Sequence, residues 1–180
     1  MGRARSLSWP GRAADVIAYD PEALPEFAAT WRVVRKESTL LQRTSDRLFA
    51  EDIDLPWVVG LARDDERSER VDAFAARYSR LRDTLGERLF PRLLALVGQQ
   101  GRSMIDRLNQ VERLGLLDDA QAWLAWRNLR NRLVHEYVEN PEDFVDALRV
   151  GREYVAALLN VVARIDAWLR QLGIGEKVLV

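Results

Sequence analysis

The chain contains no cysteine, which excludes disulfides, zinc knuckles and thiol catalysis and suits a cytoplasmic protein. It has one histidine, His135. A lone His is a poor start for a metal site, because zinc sites usually gather three or four ligands. Lysine is scarce: Lys36 and Lys177 are the only two, so arginine makes up nearly all of the 27 basic residues. Against 28 acidic residues the formal net charge is −1, and no global field draws in a polyanion. Any contact with nucleic acid therefore needs a local patch, and most of the arginines read as solvated faces. No apolar run approaches the roughly 18 residues of a membrane span. No HExxH, Walker loop or glycine fingerprint is present, and strand signals are almost absent.

What remains is helical periodicity along an ordinary globular composition, 48% hydrophobic and 31% charged. Asp20-Pro21-Glu22 opens a first helix that runs to about Ala50, with Phe27, Trp31, Val34, Leu41, Leu48 and Phe49 inward. Glu51 to Pro56 is acidic and proline-broken and reads as a connection. A second helical region starts near Asp64, with Val71, Phe74, Tyr78, Leu81 and Leu85 as its core stripe; Gly86 and Pro91 interrupt or kink it. After a turn at Gly98 to Gly101, Ser103 caps a shorter helix carrying Met104, Ile105, Leu108 and Val111, which ends at Leu114-Gly115-Leu116-Leu117. Asp118 or Asp119 caps the next, which carries Trp123, Trp126, Leu129, Leu133 and Val134 as far as Asn140. Asn140-Pro141-Glu142-Asp143 opens the last. Its seam is read as Phe144, Leu148, Val155, Leu159, Val162 and Leu169, and Gly173 and Gly175 end it. The expectation is all-α: an antiparallel bundle of about five helices in one domain over residues 21–175. Residues 1–20 and 176–180 are read as tails. The acidic clusters Glu51-Asp52-Asp54 and Asp64-Asp65-Glu66 fall where caps and loops need acids, and neither a metal nor a cofactor is expected.

One stretch combines groups suited to chemistry. At 100° per residue, Arg127, Asn131 and His135 form an i, i+4, i+8 stripe. Arg130 lies to one side with a long stem, and Tyr137, seven residues on, projects with it. A guanidinium can grip a phosphate through two hydrogen bonds and offset charge developing on it. An imidazole can exchange a proton near neutral pH. Cleavage of RNA through its 2′-hydroxyl needs both a base and an acid, so a chain with one histidine calls for a twofold dimer. A plainer reading stays open: Arg, Asn and His near a helix C-terminus also oppose the dipole and tie off free carbonyls.

Arg130, four residues, His135, one residue and Tyr137 form an R-x4-H-x-Y pattern that resembles HepT toxins of the HEPN superfamily. Asn131, after the arginine, and the stretch Gly101 to Leu117 are also similar to that group. The resemblance covers about residues 25–172. It implies a metal-independent endoribonuclease, the toxin of a type VII toxin–antitoxin pair, acting as a homodimer on RNA. It further implies that Arg130 and His135 are catalytic, with Asn131 and Arg127 in support. Tyr137 would be the site at which a partner nucleotidyltransferase of the MNT type adds AMP. The superfamily also contains helical subunits that bind nucleotides or nucleotidyltransferase partners without catalysis, and these form the alternative reading.

Overall fold

A computed structural model describes the backbone of residues 19–174, and the side chains of that span other than those of residues 130 and 134–139. The described residues are helical and contain no strand, so the all-α expectation holds. The elements are α1 (Leu24–Leu48), α2 (Leu55–Gly60), α3 (Asp65–Asp83), α4 (Phe90–Leu96), α5 (Met104–Arg113), α6 (Ala120–Glu139) and α7 (Pro141–Gln171). No helix among these residues is long and apolar enough to cross a membrane.

Local chemistry sets most of the ends. Asp64 caps α3 by accepting the Arg67 amide at 3.0 Å, and Ser103 and Asp106 close a reciprocal capping box on α5. Asn140 accepts the amides of Glu142 and Asp143 at the start of α7, with Pro141 in the first turn. At the start of α6 the Ala120 amide is held by Glu112 Oε2 at 2.8 Å, while Asp118 is drawn into an ion pair with Arg164 at 2.6 Å. Gly115 ends α5 at φ 73°, a left-handed conformation that costs a side-chain-bearing residue energy. There the Leu116 amide reaches back to Val111 and the Gly115 amide to Glu112.

One expectation is corrected at a proline. The segment from Glu51 is not wholly a connection, because α2 begins at Leu55. Asp54 caps it through the Trp57 amide at 2.8 Å. Pro56 lies in the first turn, where no amide is needed, so it starts the helix instead of breaking it. Around Gly86 and Pro91 the α-helical pattern is interrupted, as expected, and the interruption is a π-helical turn, Thr84–Leu89, that joins α3 to α4. Its wider ladder, with the Phe90 amide bonded to the Leu85 carbonyl, carries the chain past a proline that has no amide of its own to give.

The described residues fall into two compact units. The first takes residues up to Arg35, Asp83–Ala120 and the chain from Val161 on. Its core holds Phe27, Trp31, Phe90, Leu94, Leu108, Val111, Ile165 and Trp168. Arg92, ion-paired with Glu26 at 3.8 Å, also donates to the Thr30 hydroxyl. The second unit comprises Lys36–Arg82 and Gln121–Asn160, with Leu41, Leu48, Phe74, Tyr78, Leu81, Trp123, Leu129, Phe144, Leu148 and Leu158 buried. Phe49 is only half-buried; its ring meets Phe74 edge-on at 5.4 Å.

The seam of α7 holds at Phe144, Leu148 and Leu169, which are buried, and departs from the expected one between them. Val155 is buried, but the stripe continues through Leu158, Val161, Ile165 and Trp168, while Leu159 and Val162 are half-buried. The doublets Leu158-Leu159 and Val161-Val162 offer the same side chain at two neighbouring positions, so composition does not choose between them; packing does. Met104 and Ile105 are likewise half-buried. The register is testable. Leu158→Ala is expected to lose about 2–5 kcal/mol of unfolding free energy, and Leu159→Ala markedly less. Equal losses in chemical denaturation would contradict it.

Candidate functional site

Helix α6 carries the residues singled out by the sequence. Its inner face is apolar: Trp123, Trp126, Leu129 and Leu133, spaced by three, three and four residues, are all buried. That spacing keeps one stripe on the core side. The opposite side is largely polar: Arg127, Asn128 and Asn131 are exposed there, together with Leu124. Arg127 and Asn131 sit one turn apart on the same face, as the sequence implies. The helical backbone is continuous through Glu139, so Arg130, His135 and Tyr137 occupy regular helical positions in its C-terminal half. Their side chains lie outside the described residues.

The helix is seated at Trp126 by contacts from α7 and α3. The ring of Trp126 lies 5.4 Å from that of Trp123 and 6.1 Å from that of Tyr154 on α7. From α3, the buried Tyr78 hydroxyl donates to the Trp126 carbonyl at 2.9 Å. In a regular helix that carbonyl also receives the amide four residues on, which here belongs to residue 130. Tyr78 thus fixes the turn that leads into the motif. On α7, Gly151 lets the helices approach closely. A Cβ built there would stand 3.2 Å from the Phe74 ring and 3.4 Å from Leu129 Cδ2.

Tyr78 and Gly151 are the residues that motif reading missed. For Tyr78 a signal existed: a tyrosine on a core stripe must find a partner for its hydroxyl. For Gly151 there was none, since a glycine inside a helix does not reveal which neighbour needs the space. Burial pushes the Tyr78 phenol well above its ordinary value of 10.0, opposed by the nearby Arg82. Among the described residues no group of three or more His, Cys, Asp or Glu is placed to hold a metal.

No family model, curated protein or solved structure matches this chain. The functional reading therefore rests on its own residues and on the resemblance of its motif.

The Tyr78 clamp leads to a prediction with a definite sign. The folded protein holds the phenolic proton more tightly than the unfolded chain does. The associated stability is therefore fully present below pH 10 and lost as pH rises beyond it. Tyr78→Phe is expected to lower stability at pH 7 by about 0.5–1.5 kcal/mol and to flatten the decline above pH 10. An alkaline unfolding profile identical to wild type would remove Tyr78 from the account.

Proposed function

We propose that this chain is a metal-independent endoribonuclease, the toxin of a cytoplasmic toxin–antitoxin pair of the HepT type. The observation that carries the reading is the two-faced character of α6. A stripe of buried Trp and Leu holds one side, and Arg127 and Asn131 are exposed on the other. The R-x4-H-x-Y motif occupies the helical turns immediately beyond.

In this reading Arg130 binds the scissile phosphate and offsets the charge that develops on it. His135 takes the proton from the 2′-hydroxyl as that oxygen attacks phosphorus, and the His135 of a second copy protonates the departing 5′-oxygen. Two copies are required because each contributes one imidazole, so the active species is a homodimer. Asn131 and Arg127 orient the strand along the exposed face. Tyr137 is the regulatory handle: a partner nucleotidyltransferase adds AMP to it. The added nucleotide brings bulk and a negative phosphate to the place where RNA must dock, and both oppose binding.

The test uses purified protein whose intact mass shows Tyr137 unmodified, incubated with total RNA in EDTA. Wild type is expected to cleave, and His135→Ala and Arg130→Ala to fall by about 10²–10⁴-fold. If all three leave the RNA equally intact, the nuclease reading fails. A stable complex with a nucleotidyltransferase that survives His135→Ala, without cleavage by wild type, would favour the non-catalytic subunit.

A further inference from the structure

Among the described residues the large apolar side chains left exposed are Leu55, Val59 and Leu124, and two of the three share one face of α2. Leu55 and Val59, 40% and 59% exposed, stand one turn apart, with Pro56 and Ala62 exposed around them. The other side of this short helix is fastened. Trp57, Val58 and Leu61 are buried, and the Trp57 indole donates to Glu51 Oε2 at 3.2 Å. The Arg67 guanidinium lies 5.5 Å from the centre of the same ring and pairs with the same carboxylate at 2.5 Å. Rolling α2 to bury Leu55 and Val59 would expose the tryptophan and break its hydrogen bond. The apolar face is therefore held outward by the fold.

That face has a charged rim. Residues 51–66 hold six acids against one base, Arg63. Glu51, Asp64 and Glu66 are engaged by Arg67 and Arg70. Asp52 and Asp54 are exposed just before α2, and Asp65 is exposed just after the turn that follows it. Such a rim repels nucleic acid, and it repels the same face of a second copy. What it accepts is an apolar side chain flanked by cations.

The chain carries a segment of that kind. Arg3-Ala4-Arg5-Ser6-Leu7-Ser8-Trp9-Pro10-Gly11-Arg12 combines three arginines with a leucine and a tryptophan and has no acid. It lies outside the described residues. The chain that follows it enters the first unit at Asp20, whose amide donates to the Leu96 carbonyl at 2.7 Å, whereas α2 belongs to the second unit. Residues 1–18 fully extended span at most about 60 Å, enough to reach a neighbouring molecule.

We propose that the α2 face is the docking site for the Arg3–Arg12 segment of a second copy. Leu7 and Trp9 cover Leu55 and Val59, and the arginines meet Asp52, Asp54 and Asp65. The exchange is reciprocal, each copy giving one segment and taking one, as a twofold contact requires. It uses neither His135 nor Arg130 and so stands apart from the nuclease reading.

The experiment adds a fluorescent peptide of residues 1–14 to the full chain and follows its anisotropy, with sedimentation velocity on the full chain alone. The peptide is expected to bind saturably, and more weakly as salt rises. Leu55→Ser combined with Val59→Ser should weaken it by about tenfold or more at an unchanged unfolding midpoint. The same pair should weaken self-association of the chain by a like factor. Asp52→Lys with Asp65→Lys should also weaken the peptide, and a peptide carrying Arg3→Glu and Arg5→Glu should regain binding to that variant. The proposal is overturned if the peptide does not bind, or if a peptide of the same composition in scrambled order binds as tightly. It is also overturned if the serine variant, folded as wild type, takes the peptide equally well. Self-association unchanged in that variant would overturn it too, because the occupant would then not be a second copy.

Discussion

The bond from the Tyr78 hydroxyl to the Trp126 carbonyl joins three things that would otherwise be independent: the core of the second unit, the rotation of α6, and the direction in which its polar face looks. A helix held only by apolar contacts can slip or roll among similar packings. A buried hydroxyl that must find one acceptor removes that freedom, because leaving it unpaired costs more than the bond itself returns. With Trp126 pinned, Trp123, Leu129 and Leu133 follow inward at helical spacing, and Arg127 and Asn131 are turned outward. Gly151 plays the complementary part by leaving room at the point where α7 comes nearest Leu129 and Phe74.

Much of the fold could be read from the chain because its helix ends are written in local chemistry. Asp64, Ser103, Asn140 and Gly115 act within four residues of themselves, so their effect survives whatever the rest of the molecule does. Two kinds of feature were not legible. The short helix after Asp54 was hidden by Pro56, a residue that breaks a helix interior but suits its first turn. The seam of α7 was read correctly at Phe144, Leu148, Val155 and Leu169 and misplaced by one residue at Leu159 and Val162, because paired leucines and paired valines carry no directional information. Only packing against other helices distinguishes Leu158 from Leu159.

The candidate site divides along the same line. The motif is a contiguous string, so Arg130, Asn131, His135 and Tyr137 could be singled out directly, and the exposure of Arg127 and Asn131 agrees with the face assigned to them. The residues that hold the helix in place lie 48 positions away in the case of Tyr78, and no local pattern links the two. The loop before α5 was half visible: the Gly98 to Gly101 turn and the Ser103 cap were legible. That the turn folds back over Gln110 depends on the close approach at Gly101.

On the proposed reading, attack by the 2′-hydroxyl is the chemical step that the single histidine of each copy must serve, with no metal in either role. That claim is tested most directly by identifying the ends of the RNA fragments that the unmodified protein makes in EDTA. The account predicts a 2′,3′-cyclic phosphate on one fragment and a free 5′-hydroxyl on the other, from wild type and not from His135→Ala. Fragments ending in 3′-hydroxyl and 5′-phosphate, or cleavage that persists unchanged without His135, would contradict it.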